Sequence, residues 1–598
     1  MTGQHTAWNP GLESDIPRHL LPLVTLFREK NGFVDYDTAR ELSDLTGIGV
    51  NALVAFRAER LVVHNLLVRV TADLSVQDGP SYEELGINLR GMVDAIYTKY
   101  MLPEMDAICA VFGDEKAKVE HIIATQLSFK IFADNNADAQ QVKTPSLLSR
   151  ILAKKPASKG LALNSEPREI LAINEWTRLA ECENSELNIA CYRALAKTVN
   201  LIVGNHGRLR IQHKLLTNIV TNDVCNHYVA DVLNDFIEPL WNDAVESEGY
   251  RRLPVQSKPV VMNVKGASAS GKSTIRPNQR QLAGKLNIPW DDFALISPDY
   301  WRKYLLDYQS LGEDYKYGAM LTGTELEIID KKLDRYMAGK QAKGTMSHLL
   351  IDRFRFDSFT LDIDRTSDSK LLSRFGEEVY LFFMVTSPSE TVERAWLRGK
   401  ETGRYKAVDD LLYHNVEAFT GMPALFLSWV NSKDRKVHFE FLDNDVPLGT
   451  LPKTAAFGWN GIMTILDLKL MLNVDRYRHV DITAKHPRQV LKAGDAEIGS
   501  YTDFVLRCSQ TVSRLDFADQ HTLDIYATVK DGKLLWWDDD YISQNTADAA
   551  LQKILKVFGF SGKPCESSQE TVAATIDHSK ERHFLVGQYG MQQQEAVH

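Results

Sequence analysis

No stretch of this 598-residue chain approaches 18 uninterrupted apolar residues, so no membrane-spanning helix is expected. The opening Met1-Thr2-Gly3-Gln4-His5 carries no basic segment leading into an apolar core, which argues against a secretory signal and for a cytoplasmic setting. Cysteine is sparse. Cys109, Cys182, Cys191, Cys225, Cys508 and Cys565 share neither short paired spacings nor partnering histidines, which argues against zinc sites and a disulfide framework. A basic surplus is also missing: Lys plus Arg number 69 against 79 Asp plus Glu, and a net charge of -10 gives the chain no overall pull toward nucleic acid or an anionic membrane. Only a local basic groove would serve such a partner. Gly (35) and Pro (20) are too few for a collagen-like or broadly disordered chain, and no period of 20 to 50 residues repeats, which argues against a solenoid.

What is present is an ordinary globular composition in a chain far too long for one hydrophobic core, so three or four domains are expected. From about Ile16 to Glu248 apolar residues recur at three and four rather than at two, as in Leu20, Leu21, Val24 and Phe27 and again in Met92, Ile96, Tyr100 and Met101. This predicts an all-helical accessory domain over residues 1–250. Within it, residues 141–160 collect Lys143, Arg150, Lys154, Lys155 and Lys159 among prolines and serines, a pattern open to two readings, a solvated loop or a phosphate or nucleic-acid contact.

Near Arg251-Arg252-Leu253-Pro254 the helical pattern gives way to short apolar runs alternating with amphipathic segments, which predicts a parallel α/β domain over residues 255–482. The runs Val260–Val264, Phe293–Ile296, His348–Ile351, Val379–Val385 and Val437–Leu442 predict a parallel five-stranded sheet. Helices are expected after Thr322 with Glu325, read as a capping box, and after Ser387-Pro388-Ser389-Glu390. Beyond residue 485, Leu523–Val529, Asp531-Gly532 and Leu534–Trp537 read as a β-hairpin and Thr546–Phe558 as a helix, together a small α+β appendage. The expected architecture is therefore multidomain, with a helical front, a central α/β domain and this appendage.

Gly266-Ala267-Ser268-Ala269-Ser270-Gly271-Lys272-Ser273-Thr274 follows the first strand directly and opens a helix, which is a Walker A loop in its proper context. Its small residues let the backbone N–H groups wrap a polyphosphate. Lys272 would reach the outer phosphates of ATP, and Ser273 would ligate Mg²⁺. Pro277 is tolerated only if the helix starts at about Lys272 to Thr274, and Arg276 and Arg280 are expected to face solvent.

Ligands of parallel sheets collect at the strand ends, so the residues there are the remaining candidates. Asp299, after the second strand, is a candidate base for an attacking hydroxyl or an N-cap. Asp352, after the third, is a candidate holder of the Mg²⁺ water shell or one half of a structural ion pair, while Arg353 and Arg355 would grip an anionic acceptor. Arg394, Arg398 and Arg404 read as a cationic lid over the triphosphate or as surface arginines. Asn444 stands in a loop that either borders adenine or simply turns.

This set resembles the zeta toxin and polynucleotide-kinase-like group of P-loop kinases over about residues 255–450. It is carried by the Walker A loop, Asp299 with Arg302, the arginines 394, 398 and 404, and Asp443-Asn444. The resemblance implies transfer of the γ-phosphate of ATP to a hydroxyl of a small molecule or nucleotide sugar, with Asp299 as base, Lys272, Arg398 and Arg404 as catalytic cations and Arg302 on the acceptor. The chain departs from that group in carrying Asp352-Arg353 where such kinases commonly have Glu then Thr. Two other functions are open to the same residues: a polynucleotide 5′-hydroxyl kinase using the 143–159 segment, with nucleic acid the less favoured partner, and a nucleotide-gated binding protein without an acceptor.

Overall fold

The computed structural model describes residues 5–79, 82–133, 166–353, 376–491, 501–546, 548–560 and 583–590. The basic 143–159 segment, Arg355 and Cys565 lie outside them. The other five cysteines are free thiols, and among the described residues no helix is long and apolar enough to cross a membrane.

The chain divides into two units, one made of 1–18, 66–95 and 245–598, the other of 19–65 and 96–244. This differs from the expected parting near residue 250. Residues 66–95 belong with the sheet because their polar groups are spent there: Trp301 Nε1 donates to Thr71 Oγ1 (3.2 Å), Lys340 Nζ to Asp73 (2.6 Å) and Lys303 Nζ to Glu83 (2.9 Å). Gly86 lets the helix Tyr82–Ile96 come this close, since a Cβ there would stand 2.6 Å from the Tyr300 ring.

The other unit is helical as the periodicity predicts, with Met105–Lys130, Arg168–Cys182, Glu186–His206 and His213–Val224 as its main helices. Trp176, Ile123, Leu127, Leu195 and Val220 are fully buried in it. Asn226 ties its turns, accepting from Phe56 N (3.1 Å) and donating to the Val54 carbonyl (2.7 Å). The first apolar stripe forms the 3₁₀ turns Arg18–Leu23 and Thr25–Phe27 rather than a longer α-helix.

In the sheet-bearing unit, all five expected strands form: β1 (Val260–Gly266), β2 (Phe293–Ile296), β3 (His348–Asp352), β4 (Glu378–Val385) and β5 (Lys436–Asp443). They pair in parallel in the order β2-β3-β1-β4-β5. Their continuous apolar runs follow from burial on both faces, as in β2, buried throughout, and β4, where every residue after Glu378 is buried.

The sheet does not stop there. β6 (Lys453–Trp459) pairs antiparallel with β5, and β7 (Ile462–Ile465), β8 (Arg514–Ala518), β9 (Ile525–Lys530) and β10 (Lys533–Trp537) complete a ten-stranded mixed sheet. The expected five-stranded sheet and separate appendage are thus one continuous structure. An eight-residue β5 left unpaired on this side would expose a row of backbone donors and acceptors, and β6 takes them up. The 523–537 hairpin forms as read, turning at Asp531 and Gly532 with φ of 48° and 75°.

Candidate active site at the strand ends

The 266–274 loop leaves β1 and doubles back on itself. Ser270 N donates to the Ala267 carbonyl (3.2 Å), Thr274 N to that of Gly271 (3.0 Å), and Ala269 and Gly271 take φ of 62° and 90°. Gly266 must be glycine, because a Cβ would lie 2.9 Å from the Met384 carbonyl oxygen of β4. After the loop, Lys272–Ile275 forms a 3₁₀ turn and the α-helix Arg276–Lys285 follows with Pro277 in its first turn, where no N–H is missed.

Lys272 Nζ donates to the Gly266 and Ala267 carbonyls (3.2 and 3.0 Å), so its ammonium lies inside the curve of the loop. Burial lowers its pKa, with Asp352 and Asp299 opposing that shift. The Ser273 hydroxyl makes no hydrogen bond among the described residues.

Asn444 does not stand apart as an adenine ligand. It is buried, and its Nδ2 donates to the Ser270 carbonyl (2.8 Å), which Thr386 Oγ1 also engages (2.9 Å). Its place is to hold the loop. Arg394, read as one of the lid cations, is buried too and donates to the Asn444 and Val446 carbonyls (2.7 and 2.8 Å). It fastens the helix Pro388–Thr402 to the loop after β5.

Asp299 lies in the short 3₁₀ turn after β2 and is 45% exposed. Arg302 Nε donates to one of its oxygens (2.9 Å) and Arg404 Nη2 to the other (2.7 Å). Burial pushes the Asp299 carboxyl up, but Arg404, Arg302 and, beyond them, Arg398 more than reverse this and hold it well below the usual carboxylate range. Arg302 is further anchored, through Nη1, to the Ala319 carbonyl (2.6 Å) and Thr322 Oγ1 (3.1 Å). Thr322 is therefore spent on Arg302 and on the Gly318 and Ala319 carbonyls, and the capping box does not form.

Arg404 is held in place by its neighbour. Tyr405 packs with Leu12 and Ala407, and its ring meets those of Trp396 (5.4 Å) and Tyr315 (5.8 Å).

Two further residues correct the sequence reading, and a third was missed by it. Arg353, expected on the acceptor, is 2% exposed and closes on the helix Gly323–Ala342, with 2.6 Å to both Asp330 and Asp334. Arg276, expected toward solvent, is buried, donates to the Tyr300 hydroxyl (3.2 Å) and stands 4.0 Å from the Asp352 carboxylate. Lys406 escaped notice altogether. Its Nζ lies 2.8 Å from His414 Nδ1 and 3.3 Å from Asp410, both on the helix Val408–Val430. Burial brings Lys406 down to about 8 and His414 to about 2, so the imidazole is neutral and accepts from the ammonium. The i,i+4 spacing of Asp410 and His414, just after Arg404, was the available signal.

Lys272, Arg302, Arg398, Arg404 and Lys406 thus interact electrostatically around Asp299, an excess of positive charge suited to a polyphosphate. For a metal the donors are few: among the described residues no group of three or more His, Cys, Asp or Glu gathers. The Ser273 hydroxyl and the Asp352 carboxylate fit a hard cation that keeps most of its ligands as water and phosphate oxygen, as Mg²⁺ does. No family matches the chain, and neither a curated protein nor a solved structure matches it.

Proposed function

We propose that the chain is an ATP-dependent phosphotransferase that moves the γ-phosphate to a hydroxyl of a small molecule or nucleotide sugar, in the manner of zeta toxin-like kinases. The observation that carries this reading is the Asp299 carboxylate gripped by Arg302 and Arg404 within electrostatic reach of Lys272. A structural ion pair has no need of a wrapped anion-binding loop beside it.

The 266–274 amides and Lys272 would bind the phosphates, with Ser273 and Asp352 holding Mg²⁺, which neutralises charge on the transferring group. A carboxylate clamped by two guanidiniums is a poor base. The γ-phosphate competes for Arg398 and Arg404, and as they turn to it Asp299 regains basicity and accepts the proton of the acceptor hydroxyl. That oxygen bonds to phosphorus as the bond to the bridging oxygen breaks, and ADP leaves.

The test is incubation with Mg²⁺ and labelled ATP in a metabolite and RNA extract, with labelled products identified by mass. Asp299→Asn should bind ATP and fail to transfer, while Lys272→Ala should weaken both. Transfer by Asp299→Asn at the wild-type rate would refute the base, and ATP binding with no labelled product would favour a nucleotide-gated binding protein.

A further inference from the structure

The acceptor side of the site includes a residue from a part of the chain that the sequence pattern places elsewhere. Arg90, on the helix Tyr82–Ile96, lines the same small crevice as Asp299, Arg302 and Arg404. The charges in that crevice pair off with one exception. Lys303 meets Glu83 (2.9 Å) and Asp299 meets two guanidiniums, whereas Arg90 Nη1 donates only to the Tyr300 carbonyl (3.1 Å) and forms no ion pair among the described residues. Burial and the nearby Arg404 both disfavour its charge, against a pull from Glu83. A partly buried cation that faces a crevice without an ion-pair contact of its own calls for an anion from outside.

The charge count indicates which anion. Arg90, Arg302, Lys303 and Arg404 stand against Glu83 and Asp299, a surplus of two positive charges. A phosphate monoester carries about -1.5 to -2 at neutral pH and presents several oxygens to a planar guanidinium, whereas a carboxylate neutralises only half the surplus. The cavity is about 10 Å³, room for about one water, so an acceptor has to draw these side chains apart as it enters. An anionic group does this by replacing Asp299 as the partner of the guanidiniums.

We infer that Arg90 is a specificity-determining residue of the acceptor side, selecting an acceptor that bears a phosphate group near the hydroxyl to be phosphorylated. This rests on the phosphotransferase reading above.

The experiment measures calorimetric binding of inorganic phosphate, as the fragment shared by such acceptors, to the full chain with and without a saturating non-hydrolysable ATP analogue and Mg²⁺. Phosphate bound at the 266–274 loop is common to all variants, so the difference between wild type and Arg90→Met reports Arg90 alone. Arg90→Met should weaken phosphate binding roughly ten- to a hundredfold while nucleotide affinity and melting temperature stay unchanged, and Arg90→Lys should recover part of the loss. Equal phosphate affinity in wild type and Arg90→Met, or acetate bound as tightly as phosphate, would overturn the inference. If Arg90→Met melts early, the comparison of wild type with Arg90→Lys decides, since loss of the planar fork alone should still cost affinity. Failure of the ATP analogue to bind sinks the phosphotransferase reading separately, and the Arg90-dependent phosphate difference is read without nucleotide in that case.

Discussion

Two arginine–carboxylate clusters in the same unit have inverted stoichiometry. At the end of β3 a single arginine, Arg353, lies between Asp330 and Asp334; at the end of β2 a single carboxylate, Asp299, lies between Arg302 and Arg404. The first cluster is sealed, with every member buried, and Lys265 Nζ donating to the Arg353 carbonyl adds to the closure. In the second, Asp299 is nearly half exposed, and Asp299 and Arg404 both interact electrostatically with Lys272 of the 266–274 loop. Residue type does not separate them, since Arg353 and Arg404 both read as ligand-gripping arginines from sequence. Burial does: a sealed cluster holds two elements together, while an open one can exchange its internal partner for a ligand.

The largest expected effect comes from breaking the open cluster. If the proposed phosphotransferase reading holds, Arg404→Ala leaves Asp299 with Arg302 and Arg398 but takes a cation from the transferring phosphate, and phosphoryl transfer should fall about a thousandfold or more. Because Asp299 is part exposed, the melting temperature should move little. A variant that instead unfolds early with unchanged specific activity would show that this cluster, too, is structural.

Breaking the sealed cluster should have the opposite profile. Arg353→Met strands two buried carboxylates facing one another, which should cost about 3 to 5 kcal/mol in urea unfolding. Adding Asp330→Asn and Asp334→Asn to the same chain should recover much of that loss. Lower transfer in the single variant with normal stability would mean that Arg353 reaches a ligand after all.

The contrast also marks what could be read in advance. The five parallel strands were legible because burial on both faces leaves uninterrupted apolar runs, and the tight 266–274 turn because its small residues suit a backbone that doubles back between a strand and a helix. The β6–β7 hairpin was not recognised although Asn460-Gly461 stands at its turn, a pair that commonly closes hairpins. Asp299 and Arg404 were found as residues, but their contact joins positions 105 apart and leaves no pattern along the chain. Arg90 is further removed still, 210 residues from the Tyr300 carbonyl it meets, and its helix has the same periodicity as those of the other unit. Asn444 and Arg353 were placed on ligands because polar residues at strand ends often are; their own backbone and carboxylate partners lay in segments that sequence spacing does not connect.

A buried carboxylate that no guanidinium clamps sharpens the comparison. Glu440 in β5 is fully buried and accepts from Thr454 Oγ1 (2.6 Å) and from the backbone N–H groups of Val586 and Gly587 (2.9 and 3.0 Å). Burial raises it to about 7 despite these neutral donors, where Asp299 is driven the other way by guanidiniums. The sign of the pH effect follows from the raised value. A carboxyl that titrates near 7 when folded and near 4.5 when unfolded takes up a proton on folding, so its contribution is fully present below about pH 4.5 and is lost as pH rises through 7. The group accounts for roughly 3 kcal/mol across that span. Glu440→Gln keeps one acceptor oxygen, at the expense of one of the two backbone donors, and cannot titrate, so the slope of urea stability between pH 5 and pH 8 should be shallower in the variant than in wild type. Identical slopes would mean that the Thr454 hydroxyl, two peptide N–H groups and the more distant Lys285 keep a buried carboxylate charged, and that guanidiniums are not what sets Asp299 apart.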